Sequence, residues 1–336
     1  MSSELYKKVL LPANSDERVL LIDGLNMWLR ICSSVSLFNS NGEHVGGVVG
    51  FLRSIAKEIR HYEPTKCYVI FDGINGGQRR KSIYSNYKSN RTGRFTPKNS
   101  SGIELTQDEM DKSMRVQLKR VIQYCVHLPV TVLQIDNVEA DDVIAYITTN
   151  IHNLDNTKSI RIVSTDKDFL QLINDTVEVC SPVKKVIYRK KNFIEEFKML
   201  PENFLLFRAI TGDVSDNISG IRGIGQKKLL KAFPQLDSEV VDVDVLKEIC
   251  KKLDYKGTYG IINDGMDIIY RNLKLMQLDD VHISIPSIEK ILASKPNKLN
   301  VIELRKLAMD DMILPSFRDF EYWALNSFKK LNMWIN

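Results

Sequence analysis

Cysteine and histidine are scarce in this sequence and poorly placed for chemistry. The five cysteines, Cys32, Cys67, Cys125, Cys180 and Cys250, are odd in number, scattered, and form no C-x-x-C pair. That excludes a disulfide framework and predicts reduced, mostly buried thiols in a cytoplasmic compartment. The five histidines are equally dispersed, so a His-based zinc site or a Ser-His-Asp triad has little support. No apolar run approaches the roughly 20 residues that span a bilayer. The opening M-S-S-E-L-Y-K-K-V-L-L-P lacks a signal-peptide layout. No membrane partner is therefore expected. Internal repeats and long low-complexity segments are missing too.

What is present describes an ordinary globular chain. Its 336 residues suffice for one large domain or two modest ones, with 43% hydrophobic and 26% charged residues. The net charge of +5 is mild, and its distribution says more. The stretch from Val138 to Ile173 is the densest in acids with a pattern. V-E-A-D-D-V-I-A-Y-I reads as a helix that opens with Glu139, Asp141 and Asp142, and residues three apart share a helix face. I-R-I-V then reads as a buried strand, ending in S-T-D-K-D with Asp166 and Asp168. Acids at a helix start complement its dipole by about 0.3–1 kcal/mol each, which would be a purely structural role. Two further aspartates at a strand end weigh against that reading. Like charges about 4 Å apart repel by roughly 1–4 kcal/mol. A fold keeps such a cluster when a cation neutralises it or when some members hold protons. All-oxygen donors select a hard ion, Mg²⁺ or Mn²⁺ rather than Zn²⁺.

Along the chain, V-L-L-I at 19–22 predicts a buried strand ending in Asp23, and C-Y-V-I-F at 67–71 a second one ending in Asp72. Between them Val48–Arg60 has the apolar spacing of a helix. Strand, helix, strand predicts a βαβ unit, hence an α/β fold with a mostly parallel central sheet flanked by helices. From Gly73 to Ile103 there are seven basic residues, Arg80, Lys88 and Arg91 among them, and no acid, with Tyr84, Tyr87 and Phe95 interleaved. Basic groups neutralise phosphate and an aromatic face such as that of Tyr87 accepts an unpaired base. Thr106–Val126 predicts a helix with a capped T-Q-D-E start. Val177–Cys180 and Lys185–Tyr188 read as short edge strands, and Pro201 opens a helix that runs to Thr211. Then T-G-D-V-S-D-N supplies Asp213 and Asp216, followed by G-I-R-G-I-G-Q-K-K with Gly220, Gly223, Gly225, Lys227 and Lys228. No strand precedes this turn and the P-loop spacing is absent, so a nucleotide loop is the weaker reading. A glycine turn whose N–H groups and lysines grip a duplex backbone, without reading bases, fits better.

Nine carboxylates stand out: Asp23, Asp72, Glu139, Asp141, Asp142, Asp166, Asp168, Asp213 and Asp216. With I-D-G, F-D-G, R-x₇-K, V-E-A-D-D, S-T-D-K-D and T-G-D-V-S-D-N in this order, the chain resembles the structure-specific 5′-nuclease (flap endonuclease) family over roughly 19–276. The similarity is closest to the stand-alone phage enzymes of the phage RNase H type and to the 5′-nuclease domain of bacterial DNA polymerase I. The resemblance implies a PIN-like core over 18–200 with a helical arch at about 84–126, and a helix-three-turn-helix region over 201–280. Residues 1–17 and a C-terminal helical extension, 281–336, lie outside the motifs. It further implies a 5′-3′ exonuclease and flap endonuclease that removes RNA primers and flaps from branched or nicked duplex DNA and RNA/DNA. Asp72, Glu139, Asp141, Asp166 and Asp168 would hold one Mg²⁺, with Asp23 close by, and Asp142, Asp213 and Asp216 a second. Mn²⁺ could substitute, and the helix-three-turn-helix would hold K⁺. Arg80 and Lys88 would neutralise the scissile phosphate. Tyr87, Arg91, Arg208 and the Gly220–Lys228 turn would contact DNA. The protein is expected to be a monomer whose C-terminal tail either packs on its own domain or reaches a single-strand binding protein or clamp. Two rivals remain: a PIN-type ribonuclease, which gives no reason for the glycine turn or the basic arch, and a non-catalytic junction-binding protein, which would need a broken carboxylate set.

Overall fold

The run Val19–Ile22 is the middle of β1 (Glu17–Asp23), and its four side chains have no exposed surface. Burial on both faces explains why the run is continuous rather than alternating. Val19 and Leu21 belong to one hydrophobic core, Leu20 and Ile22 to the other. Each such side chain contributes about 1.5–3 kcal/mol by leaving water. The structure, a computed structural model, describes residues 17–90, 106–151, 157–254, 256–278 and 281–335. Arg91, Phe95 and the rest of 91–105 lie outside the described residues, as does the N-terminal extension to residue 16.

After β1 come α1 (Gly24–Ser34), α2 (Gly46–Tyr62), β2 (Lys66–Phe71) and α3 (Gln78–Ile83). β1 and β2 run parallel, from Val19 beside Lys66 to Asp23 beside Ile70, so the expected βαβ unit is present. Next is α4 (Gln107–Cys125), opened by a capping box between Thr106 and Glu109. Then follow β3 (Thr131–Gln134), α5 (Ala140–Tyr146), β4 (Thr157–Val163), β5 (Val177–Ser181) and β6 (Val186–Tyr188). The six strands lie in the order β3-β2-β1-β4-β5-β6. Every pair is parallel except β5 with β6 at the edge. The chain winds outward from β1 to β3 and then returns to the other side of β1 for β4. Such a reversal opens a crevice at the carboxyl ends of the two strands that flank it.

Helices dominate the rest. α6 (Lys190–Phe197) precedes a 3₁₀ turn at Pro201–Asn203 and α7 (Phe204–Thr211). A short hairpin pairs the two-residue strands β7 (Gly212–Asp213) and β8 (Ile218–Ser219). Gly212 sits at φ +78°, and a Cβ on Gly220 would lie 2.2 Å from the Thr211 carbonyl carbon, so no side chain fits at this crossing. α8 (Gln226–Ala232), α9 (Val243–Lys252), α10 (Thr258–Asp264) and α11 (Met266–Met276) follow. Fully buried Asn272 of α11 donates to the carbonyls of Ala209 (2.8 Å) and Ser219 (2.9 Å), fixing α11 to α7 and the hairpin. α12 (Ile285–Ala293), α13 (Val301–Asp310) and α14 (Phe320–Asn332) close the chain. Phe320, Ala324 and Phe328 of α14 bury in the same core as α2. Asp311 accepts from Arg120 Nε (2.8 Å) and the Tyr124 hydroxyl (2.9 Å) of α4.

A carboxylate cluster at the carboxyl edge of the sheet

Asp23 ends β1 and caps α1, accepting from the Asn26 N–H at 3.1 Å. Across the crevice, at the end of β4, the Ser164 hydroxyl donates to its other oxygen at 3.0 Å. Asp72 follows β2 and accepts the Ala140 N–H at 2.8 Å, so one strand end caps the helix that carries the next acids. Gly73 makes this possible: a Cβ there would lie 1.7 Å from the Ile135 carbonyl oxygen. Asp166 and Asp168 leave the end of β4 in a tight turn, with the Asp168 N–H donating to Asp166 at 2.8 Å. Asp213 sits in the β7–β8 hairpin and is held by the Ser215 N–H (2.8 Å) and hydroxyl (2.7 Å).

These acids form two tight groups. Glu139, Asp141 and Asp142 can each offer an oxygen within 4.8 Å of the others, and so can Asp168, Asp213 and Asp216. Asp142 therefore lies with the helix acids, where the sequence reading set it beside Asp213 and Asp216. The reason is the start of α5, where Glu139 is the N-cap residue and Asp141 and Asp142 lie in the first turn. Asp23, Asp72 and Asp166 lie between: Asp23 feels the charges of Asp72 and Asp166, and Asp166 those of Asp213 and Asp216. Residues nearly 200 positions apart thus share one electrostatic centre.

The cations are built in. Arg80 of α3 is 3% exposed and wedged against the first group. Its Nη2 meets Asp142 Oδ1 at 2.7 Å, its Nη1 pairs with Glu139, and its Nε donates to the Leu275 carbonyl at 2.8 Å. Lys88 Nζ reaches Glu139 at 2.5 Å, while its backbone N–H donates to the Asp216 carbonyl at 2.9 Å, so it bridges the two groups. Arg208 of α7 serves the second group, meeting Asp168 at 3.1 Å and pairing with Asp213. Tyr87 is 2% exposed, its hydroxyl 3.3 Å from Glu139, so its ring face is not open to a base here.

Three cations do not balance nine carboxylates, and the protonation equilibria record the deficit. Burial, aided by Asp72 and Asp166, pushes Asp23 up to about 7. Burial and Asp166 do the same to Asp168, also to about 7. Burial raises Asp166, and raises Asp141 further still. Glu139 and Asp213 go the other way. Burial would raise both, but Arg80 and Lys88 outweigh it at Glu139, and Arg208 with the Ser215 bonds outweighs it at Asp213. Acids that repel without local relief are what a divalent ion stabilises. The donor set is all oxygen and concentrated in two groups, so it fits divalent cations of the hard class.

The glycine turn stands apart from this centre. Gly220 is packed against backbone, whereas Gly223, at φ +80°, and Gly225 have open space where a Cβ would go. Lys227 and Lys228 are exposed on α8. Sequence reasoning missed the supporting residues Asn26, Ser164 and Ser215, and placed Arg208 among DNA contacts when its partners are acids. The neighbouring I-D-G-L-N and S-T-D patterns were the only available signal for the first two.

A model of the 5′-3′ exonuclease N-terminal, resolvase-like domain matches residues 18–198. The 5′-3′ exonuclease of Bacillus subtilis is 26% identical over 284 residues, covering 81% of this chain and 86% of that protein. The thermostable DNA polymerase I of Thermus filiformis is 28% identical over 310 residues, covering 92% of this chain. The chain spans only 33% of that polymerase. Among solved structures, a pseudo-enzyme-product complex of the bacteriophage T5 D15 flap endonuclease with DNA and metal ions aligns with TM-score 0.62 and 21% identity. It covers 90% of this chain and 100% of that one, a likeness of fold.

Proposed function

Since this chain belongs to the 5′-3′ exonuclease family, it is a hydrolytic nuclease, and we propose that it is a two-metal, structure-specific 5′-nuclease. It would trim 5′ ends and flaps, RNA primers included, from branched or nicked duplex DNA and RNA/DNA. One observation supports the reading: of nine carboxylates gathered at the carboxyl edge of the sheet, six form two groups of three, each of which could hold a divalent ion. The T5 flap endonuclease of the same fold was captured with DNA and metal ions.

In this reading Glu139, Asp141 and Asp142 hold one Mg²⁺, and Asp168, Asp213 and Asp216 hold the other. Asp23, Asp72 and Asp166 complete both sites. Mn²⁺ would substitute. Bound divalent ions supply water activation and charge stabilisation at the leaving oxygen. The chain's own residues do the rest. Lys88, the more exposed of the two cations, and buried Arg80 would neutralise the scissile phosphate by exchanging part of their carboxylate contacts for phosphate oxygens. Arg208 keeps Asp168 and Asp213 ionised and oriented. The open Gly223–Gly225 turn and the exposed Lys227 and Lys228 would grip duplex backbone without reading bases, with K⁺ at that turn. We also propose a monomer, with replication proteins reached from the C-terminal helices. Neither a PIN-type ribonuclease nor a non-catalytic binder is favoured, since the acid set is complete and the glycine turn is present. A labelled 5′ flap with Mg²⁺ tests the assignment. Asp141→Asn should abolish product release while duplex binding in EDTA persists, and ordinary product release from that variant would overturn it.

A further inference from the structure

A cleft of about 850 Å³ lies between α2 and the segment leading into α14. Arg53 and Arg60 of α2 and Arg318 line it, with Phe317, Tyr322 and Trp323 as its apolar surface. Its charge is not compensated from within. Arg53 donates to the Ser316 carbonyl and Arg60 to the Ser327 hydroxyl (2.5 Å), both neutral acceptors. Exposed Arg318 makes no ion pair among the described residues. The one acid in the lining, Asp319, accepts the Tyr322 N–H at 3.0 Å to cap α14. Exposed Lys57 lies on the same face of α2 as Arg53 and Arg60.

Two observations argue against a nucleic-acid strand here. First, α2 runs from the carboxyl edge of the sheet toward the amino edge, where β2 begins, so Arg60 lies at the end remote from the carboxylates. Second, the rings offer few free faces. Arg53 covers Phe317 at 5.4 Å from the ring centre. Trp323 is packed against Phe317, Phe320 and Phe328, with ring centres 4.5, 5.4 and 5.7 Å away. Only Tyr322, 68% exposed, is free, and one ring is no stacking platform for successive bases. Guanidinium forks instead match carboxylates bidentately.

The geometry points to a docking site for an acidic segment of a partner protein that also carries an aromatic or leucine residue. Its carboxylates engage Arg53, Arg60 and Arg318, and its apolar residue lies against Tyr322 and the open edge of Trp323. This inference does not rest on the nuclease reading, because none of these residues touches the carboxylate centre.

Fluorescence anisotropy on the full chain tests it. The probe is a labelled peptide of aspartates interspersed with phenylalanine and leucine. The control is the same peptide with asparagine for aspartate, and oligothymidylate is the competitor. The acidic peptide should bind, weakened by salt, and the asparagine version should bind about tenfold less tightly. Arg318→Gln should weaken the acidic peptide several-fold, and Arg53→Gln with Arg60→Gln further. Among the described residues Arg318 makes no side-chain hydrogen bond or ion pair, so its variant reports even if the double variant loosens α14. Equal binding of the two peptides, or wild-type affinity in both sets of variants, overturns the proposal. So does displacement by oligothymidylate that itself binds R318Q more weakly, which would make this cleft a nucleic-acid groove.

Discussion

Removing divalent ions and raising the pH should destabilise this protein, contrary to the usual behaviour of a protein rich in paired carboxylates. Asp23 and Asp168 both titrate at about 7 in the folded chain against an ordinary 3.8. Between those values the folded chain holds protons that the unfolded chain has released. Folding therefore takes up protons, and stability falls as the pH rises through the folded value, levelling off above it. Between about pH 6 and about pH 8, a carboxyl that titrates near 7 when folded loses roughly 1–2 kcal/mol of its contribution. The two together give about 3 kcal/mol, with Asp166 and Asp141 acting in the same direction. For a chain of this size that is a fall in Tm of about 4 °C. Mg²⁺ should reverse it, since an ion present at about a hundred times its Kd adds about 2.7 kcal/mol. The reversal should be larger at the higher pH, where protons no longer compete for the oxygens. Differential scanning fluorimetry in EDTA and in Mg²⁺ across this range measures both effects. A Tm in EDTA that is flat or rises with pH, together with no Mg²⁺ shift, would refute the electrostatic account of the cluster.

Arg80→Gln should cost about 3–5 kcal/mol in EDTA, because it strands Glu139 and Asp142 without their buried partner. Mg²⁺ should restore part of that stability but not flap cleavage, and equal loss with and without Mg²⁺ would count against shared occupancy of those oxygens. Replacing Lys227 and Lys228 by alanine should weaken duplex binding and reduce its logarithmic salt slope by about 2, whereas an unchanged slope removes them from the phosphate contacts. Leu21→Ala, in the middle of β1, should lower stability by about 2–5 kcal/mol in urea titrations. A loss below about 1 kcal/mol would contradict its burial.

The elements that could be read beforehand were those whose pattern is local. Val19–Ile22 and Cys67–Phe71 are apolar runs with aspartate at the end, and they are β1 and β2, two interior strands of the sheet. Thr106 and Glu109 announced α4 through a capping box, and the structure shows both bonds. β3 carries no such local mark, because T-V-L-Q is four residues long and ends in an exposed side chain. Nothing local marks α1 either, since Gly24–Ser34 begins directly at a strand-end aspartate with no linker. The C-terminal helices showed amphipathic spacing, but nothing in that spacing named α2 as the surface that Phe328 would cover.

Sequence by itself determined the chemistry available: acids at strand ends and helix starts, oxygen donors without histidine or paired cysteine, and a basic stretch close behind Asp72. Those properties follow from residue type and from periods of two or a few residues, which neighbouring positions set. Only the tertiary structure decided which acids share an ion and which cation serves them. It joined Asp142 to Glu139 through Arg80, and Asp168 to Asp213 through Arg208. It also turned Tyr87 inward onto Glu139. Such pairings depend on distances between segments far apart in the chain, which the winding of the sheet and the packing of α7 and α11 impose, and no local pattern encodes them.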